Sequence, residues 1–129
     1  MNPPDELKQQ VQKCTNLGFL TQLTKGNPKM IMEMLKVYLE ENPKLLNRLR
    51  TGLDNMDWDS IARTAHAIIP SFSTLGMDKS FATMARRIQE LAEKKEEPEL
   101  IRGLFSKIEA VCLQANEELE QELVVLEKL

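Results

Sequence analysis

Asp57-Trp58-Asp59-Ser60-Ile61-Ala62-Arg63-Thr64-Ala65-His66-Ala67-Ile68-Ile69-Pro70-Ser71-Phe72-Ser73-Thr74-Leu75-Gly76 is the stretch of this 129-residue chain whose reading decides the fold. Ile61, Ala65, Ile68, Phe72 and Leu75 recur at alternating steps of four and three. That spacing lines one face of an α-helix with apolar side chains. Asp57 stands where a carboxylate can accept the free amides of a first turn, and Gly76 stands where a helix commonly ends in left-handed backbone. Start, stripe and stop agree on one amphipathic helix.

The same grammar extends on both sides. Asn27-Pro28 is a cap and first-turn pair for a long helix carrying Ile31, Met34, Leu35, Tyr38, Leu45, Leu46, Leu49 and Leu53. Pro43 lies inside it and removes the amide that would bond the Leu39 carbonyl, which predicts a kink and not a stop. Gly52 to Met56 reads as the turn that follows. Before this helix, Leu17, Leu20 and Leu23 mark one side of a short helix that Lys25-Gly26 ends, and Met1 to Gln10 reads as a frayed start.

After Gly76, Asp78 is placed to cap a helix with Phe81, Met84, Ala85, Ile88, Leu91 and Ala92 inward. The charged run Glu93 to Glu97 reads as a solvated helix end. Pro98-Glu99 then opens a last helix with Leu100, Ile101, Leu104, Phe105, Ile108, Val111, Cys112, Ala115 and Leu119 inward. The fold class is all-α: an antiparallel four-helix bundle with an additional N-terminal helix. At about 150 residues per domain, 1–129 is one domain, with a helical core over roughly residues 18–120. Leu119, Leu123 and Leu126 would make a coiled-coil seam, and an adaptor surface over 108–126, if the last helix outran the bundle.

Composition removes most functions. Seventeen basic against twenty acidic residues give a net charge of −3, which offers no chain-wide attraction to nucleic acid or an anionic membrane. No apolar run is long enough to span a bilayer, and the first 20 residues hold no signal-peptide core. Cys14 and Cys112 form neither a metal nor a redox pair motif and read as free thiols of a reducing cytoplasm. A single histidine cannot build a His-rich zinc site, and no glycine-rich phosphate loop occurs. A di-iron bundle needs Glu-x-x-His, and position 63 is Arg, so no metal is expected. The methionines at 30, 32, 34, 56, 77 and 84 read as gap-filling core.

His66 lies about 100° round the helix from Ala65, on the edge of the apolar stripe. The string around it resembles the phosphoacceptor motif of histidine-containing phosphotransfer (HPt) domains. That pattern has Ala-His, an apolar residue two on, Lys three on, a small residue four on, Ser or Ala five on, and Leu-Gly at nine and ten. Ala65, His66, Ile68, Ser71, Leu75 and Gly76 match, as do Asp57-Trp58 and Arg87-Ile88-Gln89.

The resemblance implies that His66 accepts a phosphoryl group, supported by Gln89, Ser71 and Arg86. A partner would dock on Ala62, Ile69, Pro70 and Ser73. It implies a carrier and not an enzyme, with no cofactor, relaying phosphate between response-regulator receiver domains and a hybrid sensor histidine kinase. The partner supplies the transfer chemistry. The rival reading is a helical scaffold of the same fold that has lost transfer. Two positions depart from the pattern: Ile69 where Lys is usual and Pro70 where Gly is commonest. Arg86, Arg87 and Lys79 are the candidates to supply the missing charge. Pro70 frees the His66 carbonyl and is expected to bend the helix at the acceptor.

Overall fold

The computed structural model describes residues 12–129; the expected frayed start over Met1–Gln10 lies outside them. Five helices follow in order: α1 (Gly18–Leu23), α2 (Pro28–Asp54), α3 (Trp58–Thr74), α4 (Lys79–Lys94) and α5 (Pro98–Glu127). Among the described residues there is no strand, and no helix is long and apolar enough to cross a membrane. Helix α2 packs on α3, α3 on α4, α4 on α5 and α5 back on α2, closing a ring of four around one core.

The caps lie where the residue types require them. Asn27 accepts from the Met30 amide at 3.2 Å, Asp57 from the Ser60 amide at 3.2 Å and Asp78 from the Ser80 amide at 2.9 Å. Each satisfies one of the donors that a helix start leaves unpaired. Pro28 and Pro98 occupy first turns, where a missing amide costs nothing. Both internal prolines are carried without interruption: α2 runs through Pro43 and α3 through Pro70.

The turn expected over Gly52 to Met56 is shorter than the sequence suggests. Gly52 is helical and buried, and a Cβ there would lie 3.2 Å from Ile61 Cγ1. Its role is to let α2 and α3 approach; the left-handed turn residue is Met56, at φ 51°. The buried stripe follows the helical period through Leu35, Leu49, Leu53, Ile61, Ile68, Phe72, Ile88, Ile101, Ile108 and Leu119. Leu23 and Leu100, expected inward, are exposed, and Met34, Tyr38, Leu45, Phe81, Met84 and Leu104 are only half-buried. Of the three residues of the expected seam, Leu119 is fully buried, Leu126 packs on the core and Leu123 is half-buried.

The segment ahead of α1 is clasped to α5. Glu118 accepts from the amides of Cys14 and Thr15 and from Thr15 Oγ1 at 2.6 Å, while Gln114 Nε2 donates to the Gln12 carbonyl and to Glu118. Burial, the largest single influence, pushes the Glu118 carboxyl up. The hydrogen bonds from Thr15, Cys14 and Gln114 outweigh it and hold the group at about 2. The clasp continues to α3, where the Asn16 amide donates to the Leu75 carbonyl at 2.8 Å. Cys14 and Cys112 are both free. Burial, then the neighbouring Glu118, pushes the Cys14 thiol up to about 12. Cys112 is raised to about 12 by burial, then by Cys14 and Glu109.

Candidate functional site

His66 is exposed on α3, one residue past fully buried Ala65. The face it borders is made of small side chains. Ala62 and Ala65 of α3, with Ala82 and Ala85 of α4, are all buried. Alanine keeps the two backbones close, and close backbones let a medium-length side chain reach across. Gln89 of α4 does so: its Oε1 lies 3.2 Å from His66 Nδ1.

A carboxamide oxygen can only accept, so in this arrangement Nδ1 carries the ring proton. The other nitrogen, Nε2, is left with its lone pair directed away from the partner that fixes the ring. The site is therefore an oriented, outward-facing nucleophilic nitrogen on a rigid helix.

The remaining expected site residues divide. Pro70 and Ser73 are exposed on the same side of α3 as His66. Arg86 is exposed one turn before Gln89 on α4 and lines a groove between α3 and α4 together with Ser73. Ile69 is half-buried and packs against the core, so only its outer edge is free to meet a partner. Ala62 does not fit a docking role. It is 8% exposed, so it offers a partner almost no surface.

Ser71 does not fit a supporting role either. Its hydroxyl is buried and donates to the Ile68 carbonyl at 2.8 Å, within its own helix. The motif's preference for a small residue there is met by size and by this bond, not by contact with the imidazole. Of the other candidate cations, Arg87 pairs with Glu90 at 3.8 Å, and Lys79 lies at the start of α4, two turns before Arg86.

The sequence reading missed one contribution to the site. Asn16 holds the end of α3 through Leu75, and Gly76 permits it. Gly76 has φ +64°, and a Cβ there would lie 2.3 Å from the Asn16 carbonyl oxygen. The Leu-Gly pair of the motif is thus where α3, the helix that carries His66, is tied to the N-terminal segment. Asn16 itself carries no local pattern that would have announced it.

No curated protein and no solved structure matches the chain. The family model described as the Hpt domain matches residues 33–126, which takes in most of α2 and all of α3 and α4. With a four-helix bundle, an exposed histidine on its second long helix and a glutamine bonded to that histidine, the chain belongs to the Hpt-domain family, whose members are phosphocarrier modules of two-component signalling.

Proposed function

We propose that the chain relays a phosphoryl group through His66 between receiver domains and a hybrid sensor histidine kinase in the cytoplasm. The observation that carries this reading is the Gln89 Oε1 to His66 Nδ1 contact at 3.2 Å. In the step so envisaged, Nε2 attacks the phosphorus of a receiver's aspartyl phosphate. The bond from phosphorus to the aspartate oxygen breaks as the bond to Nε2 forms. Positive charge builds on the ring, and the hydrogen bond from Nδ1–H to Oε1 becomes charge-assisted and stronger. Gln89 therefore favours the transition state and product over the ground state, which is the condition for accelerating a step.

The receiver brings the phosphoryl group and its Mg²⁺; the bundle brings position. Arg86 is the side chain we assign to the charge that Ile69 does not provide. An exposed cation is worth about 0–1 kcal/mol, so its loss at position 69 weakens transfer up to roughly fivefold and does not end it. That magnitude favours an active carrier over a scaffold that has lost transfer.

The deciding experiment offers a phosphorylated receiver domain, labelled on phosphorus, to the parent and to His66→Gln. The parent is expected to take up label that is stable in base and labile in acid, and the variant to take up none. Acid-labile label on a folded His66→Gln would overturn the assignment.

A further inference from the structure

Beyond the His66–Gln89 pair, the seam between α3 and α4 opens into a groove of about 530 Å³ that runs toward the α4 N-terminus. Phe72 and Ala82 lie at its floor, and Ser73, Lys79, Thr83 and Arg86 line its sides. Arg86 is one turn from Gln89, so the groove begins about 5 Å along the α4 axis from the residue that bonds His66.

Its lining carries two cations, Lys79 and Arg86, against one carboxylate, Asp78, and neither cation is ion-paired among the described residues. Asp78 accepts from the Ser80 amide, and bonds from Ser80 hold it below its usual range; it is therefore ionised, and the lining is left with one positive charge in excess. Lys79, with Arg86 at the end nearer His66, therefore flanks a concave, partly apolar floor beside the acceptor.

We propose that this groove takes an acidic side chain, Asp or Glu, from the docking face of the receiver domain, and so selects among receivers; this rests on His66 being the acceptor. Charge complementarity supplies the attraction and the concave floor supplies the fit. Electrostatic selection of this kind acts on encounter and binding more than on the chemical step.

The test compares the parent with Lys79→Glu. Position 79 opens α4, where an acidic residue suits the helix dipole, so the variant is expected to fold. Two donors are used: a set of receiver domains phosphorylated by acetyl phosphate, and phosphoramidate, which is too small to occupy the groove and the acceptor together. Each receiver is also prepared with the acidic residues of its docking face changed to their amides. With receivers, Lys79→Glu is expected to raise KM about five- to tenfold with kcat unchanged, and to flatten its dependence on salt. The amide-substituted receivers are expected to treat the two proteins alike. Phosphoramidate is expected to label His66 equally in both.

If receiver KM does not respond to Lys79→Glu while phosphoramidate labels His66, the groove proposal is overturned and the acceptor stands. If phosphoramidate leaves His66 of the parent unlabelled, the acceptor reading fails and the groove proposal with it.

Discussion

At the scale of single residues, the proposed transfer turns on two side chains whose roles differ in kind. In that proposal His66 supplies the nitrogen, and the contact with Gln89 selects which nitrogen it is. A neutral hydrogen bond is worth about 1 kcal/mol net, roughly a fivefold bias between tautomers. In Gln89→Leu the imidazole is expected to lose that bias. Nitrogen chemical shifts of the ring should move from one dominant tautomer toward a mixture, and the transfer rate should fall several-fold without loss of fold. Unchanged ring shifts in the variant would show that Gln89 does not fix the tautomer. Because Ile69 packs on the core, a charge introduced there must reach water along a flexible stem. Ile69→Lys can do so and is expected to hold phosphate up to a few-fold more favourably at low salt, with the gain shrinking as salt rises. Ile69→Asp cannot, and should lower both stability and receiver binding. A phosphotransfer equilibrium that does not shift in Ile69→Lys would show that charge beside His66 is not what sets it.

At the scale of helices, most of the architecture was legible and the exceptions have physical causes. Caps at Asn27, Asp57 and Asp78, the left-handed Gly76 and the stripe through α3 are local signals, set by a residue and its near neighbours along the chain. Gly52 was misread because a glycine at a turn and a glycine at a helix contact look alike until the second helix is in place. The burial of Ala62 depends likewise on how the helices pack, whereas the bond that consumes the Ser71 hydroxyl depends on which way a small side chain rotates within its own helix. Asn42, buried in the middle of α2, had no apolar character to reveal it. Two glycines test the distinction between conformation and contact. Gly26 and Gly76 both have positive φ, but a Cβ at 26 meets nothing within 4 Å, whereas one at 76 meets backbone. Gly26→Ala is expected to cost about 1 kcal/mol, the strain of left-handed backbone. Gly76→Ala is expected to cost about 2 kcal/mol or more beyond that, since Asn16 must be displaced and its bond to Leu75 lost. Equal denaturant midpoints for the two variants would sink this account.

Over the whole molecule, the clasp around Glu118 joins the first described residues to the last helix, and no reading of local pattern could have found it. Its partners lie at opposite ends of the chain. Its signature is a dependence of stability on acid. Glu118 ionises at about 2 in the fold against 4.5 for an unperturbed carboxyl, so the unfolded chain binds its proton first as pH falls. The stabilisation is complete above about 4.5 and is lost progressively as pH drops toward 2. Denaturant midpoints measured across that window should fall more steeply for the parent than for Glu118→Gln, which has no charge to neutralise. Matching slopes would remove Glu118 from the account of acid unfolding. The thiols act on the other side. With both raised to about 12 against an ordinary value of 9.0, they favour the fold below 9.0, and that contribution is lost as pH rises toward 12.

The clasp also has a consequence in time. Contacts between α2 and α3, α3 and α4, and α4 and α5 join neighbours along the chain, and such contacts close short loops and form early. The Cys14–Glu118 and Thr15–Glu118 bonds close nearly the whole chain, at separations of 104 and 103 residues. They are therefore expected to form after the barrier to folding has been crossed, with little of their energy present at its summit. Weakening them in Glu118→Gln should leave the refolding rate almost untouched and accelerate unfolding alone, so that only one arm of the chevron moves. The acceptor helix, held at Leu75 by the residue next to Thr15, would then be built by its neighbours and locked last by the chain's beginning.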